Sequence, residues 1–291
     1  MTAAAAPVMA RAPIQRPAKV RCTVSSRRLS GDMVCDGRGA GDLQLVVNED
    51  LVIPRVPDLA CSLRGLAVST EVEAASARGL IGWVNRLGYR AIALDGTHPE
   101  LRARSLDRSA RRDLAASLKR SQLGLSGVDV FVPAEHFADR EHADRAIAAV
   151  HGAIELAREL GSLGAGSDAV VCFALPDEPV EGVESEIAAQ AERLDVSVAV
   201  VRRDVTGLER AVDVDALIDA GVEPAERIAK GCAQVRWGGP RPDRRVDLMP
   251  IAGAFAMSGG GSFAVDLSHG RDVQATAERA LDAWSKLALF G

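Results

Sequence analysis

From Leu59 to the C-terminus the chain alternates short apolar runs with amphipathic helical segments, seven or eight times over. That rhythm is the strongest constraint in the sequence. A strand can pair in parallel with the next only after a crossover long enough to bring the chain back, and the crossover helix then covers one face of the sheet. The first run is Leu59–Leu63. Thr70 and Glu73 then form a capping box, apolar residues repeat at helical spacing up to Leu87, and Gly88 supplies the stop. AIALD (Ala91–Asp95) reads as the next strand, Ser109 to Gln122 as a helix, and Leu123–Val132 as a strand interrupted by Gly127. Asp139 is positioned to cap a long helix whose stripe runs from Ala143 to Leu160.

The second half continues the pattern. Strand-type runs at Ala169–Leu175, Val196–Val201, Ala211–Val214, Cys232–Trp237 and Ser262–Leu267 are separated by helical segments at Val183–Leu194, Asp215–Ala220 and Pro224–Lys230. A final helix follows Asp272. This count fits a closed (β/α)8 TIM barrel, a fold of about 250 residues. One unit reads as incomplete: residues 238–261 are rich in Gly, Pro and Arg and show no amphipathic period. An open doubly wound sheet would carry a Gly-rich phosphate fingerprint after its first strand, which is missing. The run SGGGS (Ser258–Ser262) precedes a strand rather than opening a helix, so it reads as a link in place of a lost helix.

Residues 1–57 stand apart from this barrel region, 58–291. They are Ala/Pro/Arg-rich at the start and carry six basic residues and no acid before Asp32. Two readings stay open for them: an organellar targeting peptide, or an irregular extension, with Leu43–Val47 as a short strand. From Asp32 onward the chain carries 29 basic and 40 acidic residues, so it lacks the clustered positive charge that nucleic acid requires. No run approaches the roughly 20 apolar residues of a membrane span. Five scattered cysteines without a C-x-x-C pair argue against a disulfide scaffold or zinc ribbon and suit a reducing cytoplasm. Nothing in the pattern sets an oligomeric state.

In a barrel of this kind the working residues sit at the C-terminal ends of the strands. Those positions hold Arg64, Asp95, His98, Glu135, His136 and Arg202, and later Arg203, Asp204, Asp213, Arg236, Asp266 and His269. Glu135 and His136, within FVPAEHF, place a carboxylate beside an imidazole, either for acid/base work or as a helix-entry turn that satisfies backbone donors. Asp95 before Gly96 is a site residue or a turn former. Asp213 and Asp215 either share one face of a strand or cap the helix that follows. His269 follows the last strand and faces the mouth on this reading, whereas His142 and His151 fall on the exposed side of the long helix.

Several segments together resemble the xylose isomerase-like TIM-barrel family, which includes sugar phosphate isomerases/epimerases and endonuclease IV-like proteins. The carriers are RLGYRAIALD (Arg86–Asp95), LSGVDVFVPAEHFADREH (Leu125–His142), AIELARELG (Ala153–Gly161), DALIDAGVEPAERIAKG (Asp215–Gly231) and SFAVDLSHGRD (Ser262–Asp272). The resemblance implies a divalent metal held by a Glu on the fifth strand, Asp and His around the sixth, His on the seventh and Glu on the eighth. The corresponding positions here are Val201, Asp213 with Ala216, Arg236 and Asp266, so most metal ligands are missing and no tightly held cofactor is expected. Two functions follow. One is isomerase/epimerase-like action on a small anionic carbohydrate-type ligand, with Glu135, His136 or His269 moving a proton next to a carbonyl and Arg202 or Arg236 holding the anion. The other is a catalytically degenerate barrel that binds an anion at a basic mouth of Arg64, Arg202, Arg203 and Arg236.

Overall fold

The structure is a computed structural model, and it describes residues 57–66, 76–166, 168–201, 203–241, 245–259, 261–268, 270 and 272–287. The extension before residue 57, with the proposed strand at Leu43–Val47, lies outside the described residues, as do Thr70 and Glu73. Eight parallel strands close on themselves in chain order. They are β1 (Leu59–Ser62), β2 (Ala91–Asp95), β3 (Gly124–Val130), β4 (Val170–Ala174), β5 (Val198–Val201), β6 (Glu209–Asp213), β7 (Gln234–Trp237) and β8 (Ser262–Asp266). The helices are α1 (Ala77–Arg86), α2 (Arg108–Arg120), α3 (Ala143–Ser162), α4 (Val183–Leu194), α5 (Val214–Asp219), α6 (Pro224–Ile228), α7 (Leu248–Ser258) and α8 (Val273–Leu287).

Every residue of β1, β2, β5, β7 and β8 is buried, as a strand with helices on one side and the lumen on the other must be. The alternation sorts their side chains. Cys61, Ile92, Leu94, Phe173, Val200, Val235 and Phe263 join the large cluster between sheet and helices. Ala60, Ala91 and Ala264 form one lumen cluster, and Val170, Cys172, Ala199, Val201, Ala211 and Ala233 another. TIM lumens are usually filled by bulky branched residues. Here the lining is mostly alanine, which leaves space for the long side chains of Gln234 and Arg236.

A bulge in β3 sets the face on which its later residues appear. Ile92 pairs with Leu125 but Ala93 pairs with Gly127, so Ser126 is extra and its Oγ donates back to Ile92 O at 3.1 Å. Leu125 therefore packs outward, and so do Val128 and Val130. Gly127 and Asp129 are turned into the lumen. Only glycine fits at 127, because a Cβ there would lie 2.6 Å from Val170 O.

Several caps stand where the sequence places them and others do not. Asp272 accepts from Ala275 N at 2.9 Å at the start of α8. The described part of α1 begins at Ala77 and is capped by Ser76, whose Oγ accepts from Gly79 N. Asp139 does not cap α3. Its carboxylate binds Glu141 N and the His142 ring one turn earlier, and α3 starts at Ala143 without a side-chain cap.

The expected gap at 238–261 is a correction. Helix α7 occupies Leu248–Ser258, capped by Asp247, which accepts from Met249 N at 3.1 Å, and closed by Gly259 in the left-handed region at φ 69°. It carries no charged residue, so it has no polar stripe by which a helical period could be seen. The helix that is absent among the described residues is the one between β5 and β6. That crossover is spanned by a loop in which Val205 is buried. Arg203 ties it to Pro176 O (2.8 Å) and Glu184, while Asp204 pairs with Arg210 and Arg227.

Candidate binding site at the C-terminal mouth of the barrel

Strand register brings four charged side chains together at the C-terminal end of the lumen. Ser62 lies beside Asp266 across β1–β8, and Arg236 beside Ala264 across β7–β8, where a methyl group leaves room for the guanidinium to cross the barrel. Arg236 Nη1 donates to Asp129 Oδ1 at 2.7 Å and Nη2 donates to Asp266 Oδ2 at 2.7 Å. Arg64 Nη1 donates to the same Asp266 oxygen at 2.9 Å. Ser62 Oγ donates to Asp129 Oδ2 at 2.6 Å and accepts from Arg64 N. Phe131 lies under both guanidinium groups, 3.7 Å from Arg64 Cζ and 4.7 Å from Arg236 Cζ to the ring centre.

The layer is buried and its formal charges balance. Arg236 is 2% exposed and Asp129 fully buried, whereas the Arg64 side chain remains 28% exposed. Burial by itself would lower the Arg236 pKa, but Asp129 and Asp266 outweigh it and hold the group charged well above its ordinary value. For Asp266, burial would raise the pKa, but Arg236 and Arg64 hold the carboxyl well below the usual carboxylate range. Such a carboxylate is a weak base and a poor proton acceptor. Beside it in the lumen, burial pushes the Cys172 thiol up to about 12 against the pull of Arg236, so this sulfur stays protonated.

The sequence-predicted residues are brought together only in part. Arg64, Arg236 and Asp266 meet in the layer. Asp95 is buried next to it, in register with Asp129, but its oxygens hold the turns: Oδ1 accepts from Thr97 N (2.8 Å) and Thr97 Oγ1 (2.6 Å), and Oδ2 from Gly65 N (3.3 Å). Asp213 caps α5, accepting from Ala216 N at 3.0 Å. Arg202 and His269 lie outside the described residues. Glu135 and His136 form part of a 3-10 turn (Ala134–Phe137) in which Glu135 is exposed and His136 stacks on His142 at 4.6 Å. This turn does not join the charged layer. Arg203 and Asp204 likewise spend their charges on the β5–β6 loop.

Asp129 was missed by sequence reasoning. It sits inside the apolar run VDVFV, where strict alternation counted from Leu125 places it outward, and only the bulge at Ser126 reverses that. Of the arginines expected at a basic mouth, Arg64 and Arg236 are described there, and Asp129 and Asp266 balance their charge.

The residues present do not fit the metal implied by the resemblance. Val201 has no donor atom, Asp213 is a helix cap, and Arg236 places a guanidinium against Asp266. Among the described residues no group of three or more His, Cys, Asp or Glu side chains could hold a metal ion. No described helix is long and apolar enough to cross a membrane. A separate cavity of about 780 Å³ opens at the opposite, N-terminal end of the barrel, beside the β5–β6 loop, and is lined by Asp204, Glu209, Arg210, Gly231 and Gly261.

No protein-family model matches the chain, and no curated protein sequence does. Solved structures do. D-psicose 3-epimerase from Clostridium cellulolyticum H10 superposes with a TM-score of 0.57 at 15% identity, over 80% of this chain and 99% of that one. A xylose isomerase domain protein from Planctomyces limnophilus gives 0.56 at 12% identity, over 79% and 96%. The probable 3-DHS dehydratase involved in petrobactin synthesis from Bacillus anthracis gives 0.53 at 10% identity, over 79% and 99%. The shared feature is the fold. This chain has the TIM-barrel architecture of xylose isomerase-like proteins.

Proposed function

We propose that the chain binds a small anionic carbohydrate-type ligand at the mouth of the barrel, without a divalent metal, and that Arg64 is its principal contact. One observation carries the reading: Arg64 is the guanidinium of the layer that reaches solvent. One of its nitrogens is committed to Asp266 and its plane rests on Phe131, while its remaining donors have no protein partner among the described residues. A guanidinium held flat and half-satisfied is prepared to take a carboxylate or phosphate in the fork geometry. The likeness in fold to a sugar epimerase supports the carbohydrate part of the reading. Cys61, Cys172 and Cys232 are buried free thiols, which fits work in a reducing compartment such as the cytoplasm.

The second reading, isomerase or epimerase turnover by proton transfer next to a carbonyl, is favoured by the fold alone. It needs a base. Asp266 is held ionised too firmly to serve, which leaves Glu135 and His136 on the exposed turn and His269. Calorimetric titration of sugar phosphates, sugar acids and the matching neutral sugars decides between these readings. Binding is expected for an anionic member of the panel, weakened about 10- to 100-fold by Arg64→Ala, as loss of a charge-assisted pair should do. Equal binding of the neutral sugars, or an unchanged affinity in the variant, overturns the proposal. Turnover of any panel member establishes the second reading in its place.

A further inference from the structure

The donors left over at the mouth decide which anion Arg64 can hold. A phosphate site commonly combines a cation with backbone N–H groups presented by a turn or a helix start. The turns around Arg64 carry such groups, but the chain's own oxygens occupy them. Gly65, in the left-handed region at φ 71°, donates its N–H to Asp95 Oδ2 at 3.3 Å, and Arg64 N donates to Ser62 Oγ at 3.2 Å. After β2, Gly96 N donates to Asp129 O and Thr97 N to Asp95 Oδ1, each at 2.8 Å. After β8, Ser268 N donates to Asp266 Oδ1 at 3.0 Å. Each of these five donors is committed.

What remains is one edge of one guanidinium. Arg64 Nη1 is bonded to Asp266, and Phe131 covers a face of the group at 3.7 Å, so a ligand meets the edge formed by Nε and Nη2, which have no partner among the described residues. Two parallel N–H groups match both oxygens of a carboxylate. They match two oxygens of a phosphate as well, but leave its third oxygen and second charge without a partner. Charge acts in the same direction. Asp95 is buried beside the layer, in register with Asp129, so three carboxylates face the two guanidinium groups of Arg64 and Arg236. That arrangement penalises a doubly charged phosphate more than a singly charged carboxylate. We infer that the ligand presents a carboxylate to the free edge of Arg64, which makes the substrate class of this site a sugar acid or related hydroxy acid rather than a sugar phosphate. The inference rests on the anion-binding reading given above and narrows it.

The test is calorimetric titration of the full chain with two matched pairs of probes, D-glucuronate against D-glucose 6-phosphate and D-glycerate against glycerol 3-phosphate. In each pair that binds, the carboxylate is expected to bind about 10-fold or more tightly than the phosphate ester. Arg64→Lys keeps the charge but not the fork, and should weaken the carboxylate by about 10-fold or more, as loss of one charge-assisted hydrogen bond would. Phosphate esters that bind as tightly as their carboxylate partners overturn the inference. If that binding disappears in Arg64→Ala, the anion site at Arg64 stands and only its assignment to carboxylates falls. An Arg64→Lys chain that keeps full carboxylate affinity also overturns the inference, because a fork is then not what recognises the ligand. If none of the four probes binds, the inference and the reading beneath it fall together. The comparison between probes uses the unaltered chain, so it decides the matter even if Arg64→Lys does not fold.

Discussion

Two regions at the C-terminal end of the barrel carry acidic and basic side chains in close company, and they differ in what surrounds them. In the layer of Arg236, Asp129, Asp266 and Arg64, three groups come from β7, β3 and β8 and are buried, the fourth follows the end of β1 and is partly exposed, and they meet at 2.7–2.9 Å. In the turn from Glu135 to His142 the groups come from a single stretch of chain, and Asp139, His142 and His136 interact mostly at the surface. The sequence makes the second region conspicuous because its chemistry is contiguous. Fixed geometry belongs to the first, since three strands and the end of a fourth hold its members, whereas the charged groups of the turn share one short stretch of chain. Density of reactive residue types along the chain is a poor guide to where a fold concentrates charge.

The difference is broken most severely at Arg236. Arg236→Ala leaves buried Asp129 without its ion-pair partner and Asp266 with Arg64 alone, and should cost about 3–5 kcal/mol of unfolding free energy, measured by denaturant titration. Gly127→Ala is the next test, because its Cβ must displace the β4 backbone at Val170 O. A loss of about 1–3 kcal/mol is expected, and a neutral result would mean that β3 does not approach β4 as closely as described. Acid sensitivity comes third. The folded-state pKa of Asp266 is depressed, so its contribution is present above the unfolded carboxylate pKa of about 3.9 and is lost as pH falls below that toward the folded value. Stability measured from pH 6 down to pH 2 should therefore fall less steeply in Asp266→Asn than in the parent. The smallest effect is expected in the surface turn. Glu135→Gln and His136→Ala should each change stability by less than about 0.5 kcal/mol and leave anion binding at Arg64 intact. A loss of affinity in either would return that turn to the site.

Much of the architecture was legible because it rests on local periodicity: each of the eight strands overlaps a strand-type run read from the sequence, and α1, α3 and α8 have clear apolar stripes. What failed had no local signature. Helix α7 is uncharged throughout, and its helical state is set by Asp247 and Gly259 at its ends rather than by a polar face. The crossover without a helix lies after β5, where Val205 covers the core in place of a helical stripe. Within the site, Arg64, Arg236 and Asp266 were readable as strand-end positions. Asp129 was not, because one extra residue at Ser126 changes the parity of everything after it, and nothing in the residues GLSGVDV announces which one is extra.

Asp266 Oδ2 receives both Arg64 and Arg236. One oxygen serving two cations means that none of the three residues can vary alone without leaving the others mispaired, and the effects of double substitutions will not add. Removing the central arginine alone would leave Asp266 with Arg64 and Asp129 with the Ser62 hydroxyl, so the damage would fall unequally on the two anions.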